Sequence, residues 1–190
     1  MASLLVGYMT TAMRPPRASP SRKIRGASRE HYASAEALTV PVTTLVRGRA
    51  RGALSPEVRR RVAARVRAAL RALARGSSST TLVFTDDDEI RVLNRDFRSH
   101  DRATDVLSFH LQELAGETDP AGVGLALGDI VISVETARRR AHGKRLVAEL
   151  ERLAVHGLCH LFGHDHKRKP EATRMFSLER RLRRLPLPAL

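Results

Sequence analysis

Eleven consecutive residues hold the clearest chemistry in this chain: His156-Gly157-Leu158-Cys159-His160-Leu161-Phe162-Gly163-His164-Asp165-His166. Residues four apart on a helix lie about 40° apart around its axis, so His156 and His160 share a face and can offer two imidazoles to one cation. Gly163 suits the left-handed conformation that ends a helix and turns the chain back, letting His166 supply a third ligand from the opposite side. Three histidines leave a coordination position open for water or substrate, as catalytic zinc sites do. A lone histidine on an apolar helix is ordinarily a satisfied core residue. Three at spacings of four and six, with a glycine at the bend, outweigh that reading. His164 points away from the set and reads as an auxiliary position. Asp165 can orient a histidine ring or act as an ordinary turn aspartate, and both readings stand. Cys159 falls among core positions and reads as a small buried side chain. Imidazole suits zinc, nickel and copper alike. The expectation is one Zn2+ per chain, with nickel or another divalent transition metal as alternatives.

Several elements must position this stretch. LTVPVTTLV, starting at Leu38, predicts a strand, and Pro41 predicts an edge position for it. Ser55, Pro56 and Glu57 announce a helix whose buried stripe is Val58, Val62, Val66, Leu70 and Leu73, with Gly76 as its stop. Arg59, Arg60, Arg61, Arg65, Arg67, Arg71 and Arg75 fall on its other faces and read as a solvated surface that can also meet phosphates. TTLVF at 80–84 predicts a buried strand, and Asp86–Asp88 cap a short helix reaching Phe97. After the polar loop RSHDRAT, DVLSFHL predicts a strand. GETDPAGVG (116–124) predicts a hairpin loop and LGDIVIS (127–133) the returning strand, followed by the helix VETARRRAH. A long helix over about 144–162 carries the histidines, anchored by Leu146, Val147, Leu150, Leu153, Ala154, Leu158 and Leu161, and a basic helix over about 170–184 closes the chain. The fold class is α+β: a small mixed sheet packed with helices, the metal site at the C-terminal end of the long helix and in the loop after it.

Composition bounds the remaining choices. The 190 residues suffice for one domain with a core. Thirty-four Lys and Arg against twenty Asp and Glu give a formal charge of +14, which attracts polyanions or reflects an arginine-rich composition. Aromatic residues make up 4% and tryptophan is absent, which argues against binding by rows of stacked bases. A single cysteine excludes an intramolecular disulfide and fits a reducing compartment, so a cytoplasmic protein is expected. No apolar run reaches the roughly 18 residues of a membrane span, so no membrane partner is expected. Residues 1–36 are basic and proline-containing, with no acid before Glu30. They read as a disordered extension, a transit peptide or the product of a start codon set too early, ahead of a domain over 37–190. Nothing in the sequence sets the oligomeric state.

The histidine spacing also resembles that of metzincin peptidases, H-E-x-x-H-x-x-G-x-x-H, but the glutamate position is Gly157, which cannot act as a base. More of the chain resembles the YbeY family of metal-dependent endoribonucleases. Its signature H-G-x-L-H-L-x-G-Y-D-H matches 156–166 except at Cys159 and His164. Its second motif, roughly L-N-x-x-Y-R-x-x-D-x-P-T-D-V-L-S-F-P, resembles Leu93–His110, with Phe97, Ala103 and His110 as departures, and L-G-D-I-V-I-S stands unaltered at 127–133. The resemblance implies three metal-binding histidines and Arg98 as the functional arginine, whose guanidinium can clamp the charge built on a phosphorus centre. Arg95 and Arg102 are expected to steer the RNA backbone. It further implies single-strand-specific cleavage of a ribosomal RNA precursor at the 16S 3′ end, association with the small ribosomal subunit, and ribosome quality control. Two competing expectations are a metallopeptidase-like hydrolase and a non-catalytic ribosome assembly factor braced by a structural metal.

Overall fold

The computed structural model describes residues 42–73, 78–111, 126–142 and 145–187. The extension over 1–36, Arg75, Gly76 and the hairpin loop 116–124 lie outside them. Four strands, β1 (Val42–Val46), β2 (Ser79–Thr85), β3 (Val106–His110) and β4 (Ala126–Ser133), form one sheet in the order β1-β2-β4-β3. β1 pairs parallel with β2 and β2 parallel with β4, while β3 returns antiparallel against β4, so the sheet is mixed. β1 lies at an edge. Among the described residues five α-helices pack on the sheet: α1 (Pro56–Ala72), α2 (Asp87–Arg98), α3 (Val134–Arg140), α4 (Leu146–Leu161) and α5 (Lys169–Arg183). The architecture is α+β, as the element pattern predicts.

Helix starts follow local chemistry. Ser55, Asp86 and Ser133 hold extended backbone, and their side-chain oxygens accept from the backbone N–H of Val58, Glu89 and Thr136. In the strands, alternation with a period of two splits the core between two faces. Leu82, Phe84, Ile130 and Ile132 point to one face and pack with Val62, Val66 and Leu70 of α1, Leu150, Leu153 and Leu158 of α4, and Met175 and Leu182 of α5. Val83, Val131, Leu107 and Phe109 point to the other and pack with Ile90 and Leu93 of α2. The helix carrying the histidines is thereby held on the larger face, with α5 packed beside it.

The arginines of α1 require a correction. Arg65 is not on a solvated face: it is 7% exposed, its guanidinium donates to the Leu185 carbonyl, and its Nε lies 3.8 Å from Glu151 Oε2. The segment after α5 and the flank of α4 cover that part of α1, a long-range contact that periodicity along one helix does not reveal.

Candidate metal centre

The last turn of α4 ends in a left-handed cap. Gly163 has φ +75°, its N–H donates to His160 O at 2.8 Å, and the His164 N–H donates to Cys159 O at 3.1 Å. These are the paired reversed bonds of a Schellman motif, which satisfies the free carbonyls and folds the chain back over the helix end. His166 therefore returns to the face that bears His156 and His160. The three ring centroids lie 4.8, 5.4 and 5.2 Å apart, and one ring nitrogen from each histidine falls within 4.8 Å of the others. Nε2 of His156 and Nε2 of His160 are 3.2 Å apart. Two nitrogens bound at about 2.0–2.1 Å to one tetrahedral ion stand about 3.3 Å apart. The donor set thus fits a divalent transition ion, and among the described residues no fourth His, Cys, Asp or Glu joins it.

Protonation agrees with that use. Burial, reinforced by the neighbouring His156 and His166, lowers the His160 imidazole to about 4, keeping its ring neutral and able to donate a lone pair. Behind His156 stands Glu179 of α5, with Oε2 3.1 Å from Nδ1. Burial works against ionising Glu179, but the His156 bond and the charges of Arg152 and Arg183 more than offset it, leaving the carboxyl below its usual range. An ionised carboxylate only accepts, so His156 donates to it from Nδ1 and turns Nε2 toward the other rings. The side chains of His156 and Glu179 are only 15% and 9% exposed.

The other sequence-predicted residues are placed as follows. Asp165 Oδ1 accepts the His166 N–H at 2.7 Å, and Oδ2 pairs with Lys167, so this carboxylate braces the turn. His164 is half-buried in the same turn and outside the histidine set. Arg98 ends α2, donates through Nη2 to Ser108 O at 3.0 Å, and lies over the Phe109 ring. Ser108 in turn donates its hydroxyl to Gly157 O at 3.1 Å, linking Arg98 through β3 to the helix of the histidines. Arg95 is exposed and paired with Asp96, and Arg102 is exposed in the loop after α2. That loop is tied down where Asn94 Nδ2 donates to Arg102 O at 2.8 Å. Cys159 is 1% exposed, and burial raises its thiol to about 12.

Gly157 faces the sheet. A Cβ there would stand 2.6 Å from Ile130 Cγ2 and 2.9 Å from Ser108 Oγ, so α4 approaches β3 and β4 only because the position is bare. A glutamate at this position would have to push aside the side chains of Ile130 and Ser108.

Glu179 and Phe176 are the site residues that sequence reasoning missed. Glu179 lies four residues after Met175 and three before Leu182, both fully buried, so an acid set into the apolar stripe of the last helix was the available signal. Phe176, one turn from Glu179, stacks on His166 at 6.1 Å between centroids and 11° between planes. No local pattern announces that contact.

A family model described as Endoribonuclease YbeY matches residues 54–185. A protein of that name from Anaeromyxobacter dehalogenans is 46% identical over 127 residues, covering 66% of this chain and 63% of the relative. One from Synechococcus is 50% identical over 107 residues, covering 54% and 65%, and one from Myxococcus xanthus is 48% identical over 105 residues, covering 54% and 34%. The chain thus spans less than two thirds of the length of these relatives. A Thermotoga maritima protein solved in solution shares the fold, with a TM-score of 0.52 and 22% identity over 75% of this chain and 86% of that one. The matched segment takes in the sheet from β2 onward, all five helices and the three histidines, and on that match the chain belongs to the YbeY endoribonuclease family.

Proposed function

We propose that this protein is a metal-dependent, single-strand-specific endoribonuclease of the cytoplasm that acts on ribosomal RNA precursors, with His156, His160 and His166 holding one divalent ion. The observation that carries the reading is the convergence of three ring nitrogens within 4.8 Å, one of them fixed from behind by a carboxylate. When bound, the ion supplies Lewis-acid polarisation to a phosphodiester. The protein's own residues do the rest. Glu179 holds the tautomer and orientation of His156. Arg98 places a permanent cation beside β3, suited to neutralising the charge that builds on phosphate oxygens. Arg95 and Arg102, both exposed, draw in the RNA backbone.

The relatives' common name and the charge of +14 support an RNA substrate. Maturation of the 16S 3′ end, small-subunit association and ribosome quality control rest on the family resemblance. No helix among the described residues is long and apolar enough to cross a membrane. The peptidase alternative is opposed by Gly157, whose packing against Ile130 and Ser108 leaves no room for a carboxylate.

The test is cleavage of a single-stranded precursor RNA by wild type, His160→Ala and Arg98→Ala, alongside an unstructured peptide substrate. The reading expects RNA cleavage by wild type alone, abolished by chelator, and an uncut peptide. Equal RNA cleavage by all three proteins contradicts it, and unimpaired precursor processing by Arg98→Ala in cells favours a non-catalytic assembly factor.

A further inference from the structure

The two large apolar side chains left exposed among the described residues are Val92 and Phe176, and Phe176, at 48%, is the more open. Its position is unusual. One face of the ring lies nearly parallel on His166, so an exposed aromatic group borders the histidine cluster itself. Burial does not explain it, because the core face of α5 is formed by Met175, Leu178 and Leu182. Along the helix, residues at spacings of four and seven from Phe176 fall on its own face. Those positions are Lys169, Ala172, Arg180 and Arg183; the three cations are exposed and Ala172 is half-buried, with exposed Thr173 three residues before the ring. The outer face of α5 therefore sets an aromatic plane between cations, with the histidine cluster beside the ring.

We propose that Phe176 is a stacking platform for one unpaired nucleobase next to the cleaved phosphodiester, with Lys169 and Arg180 meeting the flanking phosphates. The inference rests on the endoribonuclease reading and deepens it, because it names the feature that would prefer single strands. An unpaired base can lay its face on an aromatic ring, whereas in a duplex both faces are occupied by neighbouring bases. Stacking of this kind tolerates any base, since each has a π-face. One ring beside the site also suits a chain with few aromatic residues, where a row of stacked bases is not available.

The test is fluorescence anisotropy with the full, zinc-loaded chain at 4 °C, with RNA integrity checked on gels. The probes are a single-stranded oligoribonucleotide, a duplex of the same sequence, and single strands carrying one abasic residue at successive positions. Phe176→Ala is expected to weaken single-strand binding about ten-fold and duplex binding less than about two-fold, and Phe176→Trp to retain wild-type affinity. The Phe176→Ala loss should vanish on the strand whose abasic residue removes the stacked base. Arg180→Gln should weaken both forms alike, as a phosphate contact does. Zinc affinity and melting temperature, measured for each variant, separate this role from simple bracing of His166. If Phe176→Ala lowers only zinc affinity, or costs as much on duplex as on single strands, the stacking role is overturned while the endoribonuclease reading stands. If wild type binds neither RNA form, both fall together.

Discussion

His156 shows how much one hydrogen bond decides. An imidazole has two nitrogens, and only the one without a proton can bind a cation; Glu179, accepting at Nδ1, settles which that is. Glu179→Gln keeps the shape but offers an amide in place of a carboxylate, so zinc affinity should fall about 10- to 100-fold in competition with a chromogenic chelator. An unchanged affinity would mean that packing alone orients the ring. The role proposed for Arg98 is different, through charge and not through the metal. Arg98→Ala should lower the rate of RNA cleavage about 100-fold or more while bound zinc, measured by atomic emission, stays at the wild-type level. Loss of zinc in that variant would place Arg98 among the structural supports instead.

At the scale of elements, what was legible in the sequence is what is local. Ser55, Asp86 and Ser133 each cap their helix through a backbone N–H three residues on, and Gly163 closes α4 within the same eleven residues that hold the three clustered histidines. The strands read correctly because Leu82, Val83 and Phe84 alternate between two packed faces. Glu179 and Arg65 escaped because their partners, His156 and Leu185, are 23 and 120 residues away and come from other elements. Gly157 lies between these cases: its absence of a side chain was visible, but the close approach of β3 and β4 that requires it was not. Gly157→Ala drives a methyl against Ile130 and should destabilise the fold by about 1–3 kcal/mol, seen as a lower melting temperature. Gly163→Ala, at φ +75° with open space around it, should cost about 1–2 kcal/mol from backbone strain alone. A smaller loss for Gly157→Ala than for Gly163→Ala would show that α4 can slide on the sheet.

The whole molecule carries +14, and many of its acids are already committed: Asp88 and Glu135 to Arg49, Asp101 to Arg91, Asp105 to Arg140, and Glu151 to Arg61. The surplus is therefore cationic, and RNA binding should weaken steeply with salt. Each phosphate neutralised on a single strand contributes about −0.7 to the slope of log K against log salt concentration. A slope of about −2 or steeper is expected, little altered by chelator, since the ion is assigned to cleavage and not to the bulk of binding. A flat salt dependence would leave the charge without a role in substrate capture.

The most direct measurement is the rate of single-stranded RNA cleavage as zinc is titrated into chelator-stripped protein. The rate should rise from near zero and saturate at about one equivalent in wild type, while His160→Ala stays inactive throughout. Full activity before any metal is added, or the same curve from His160→Ala, would contradict the proposal that these three imidazoles hold the ion on which cleavage depends.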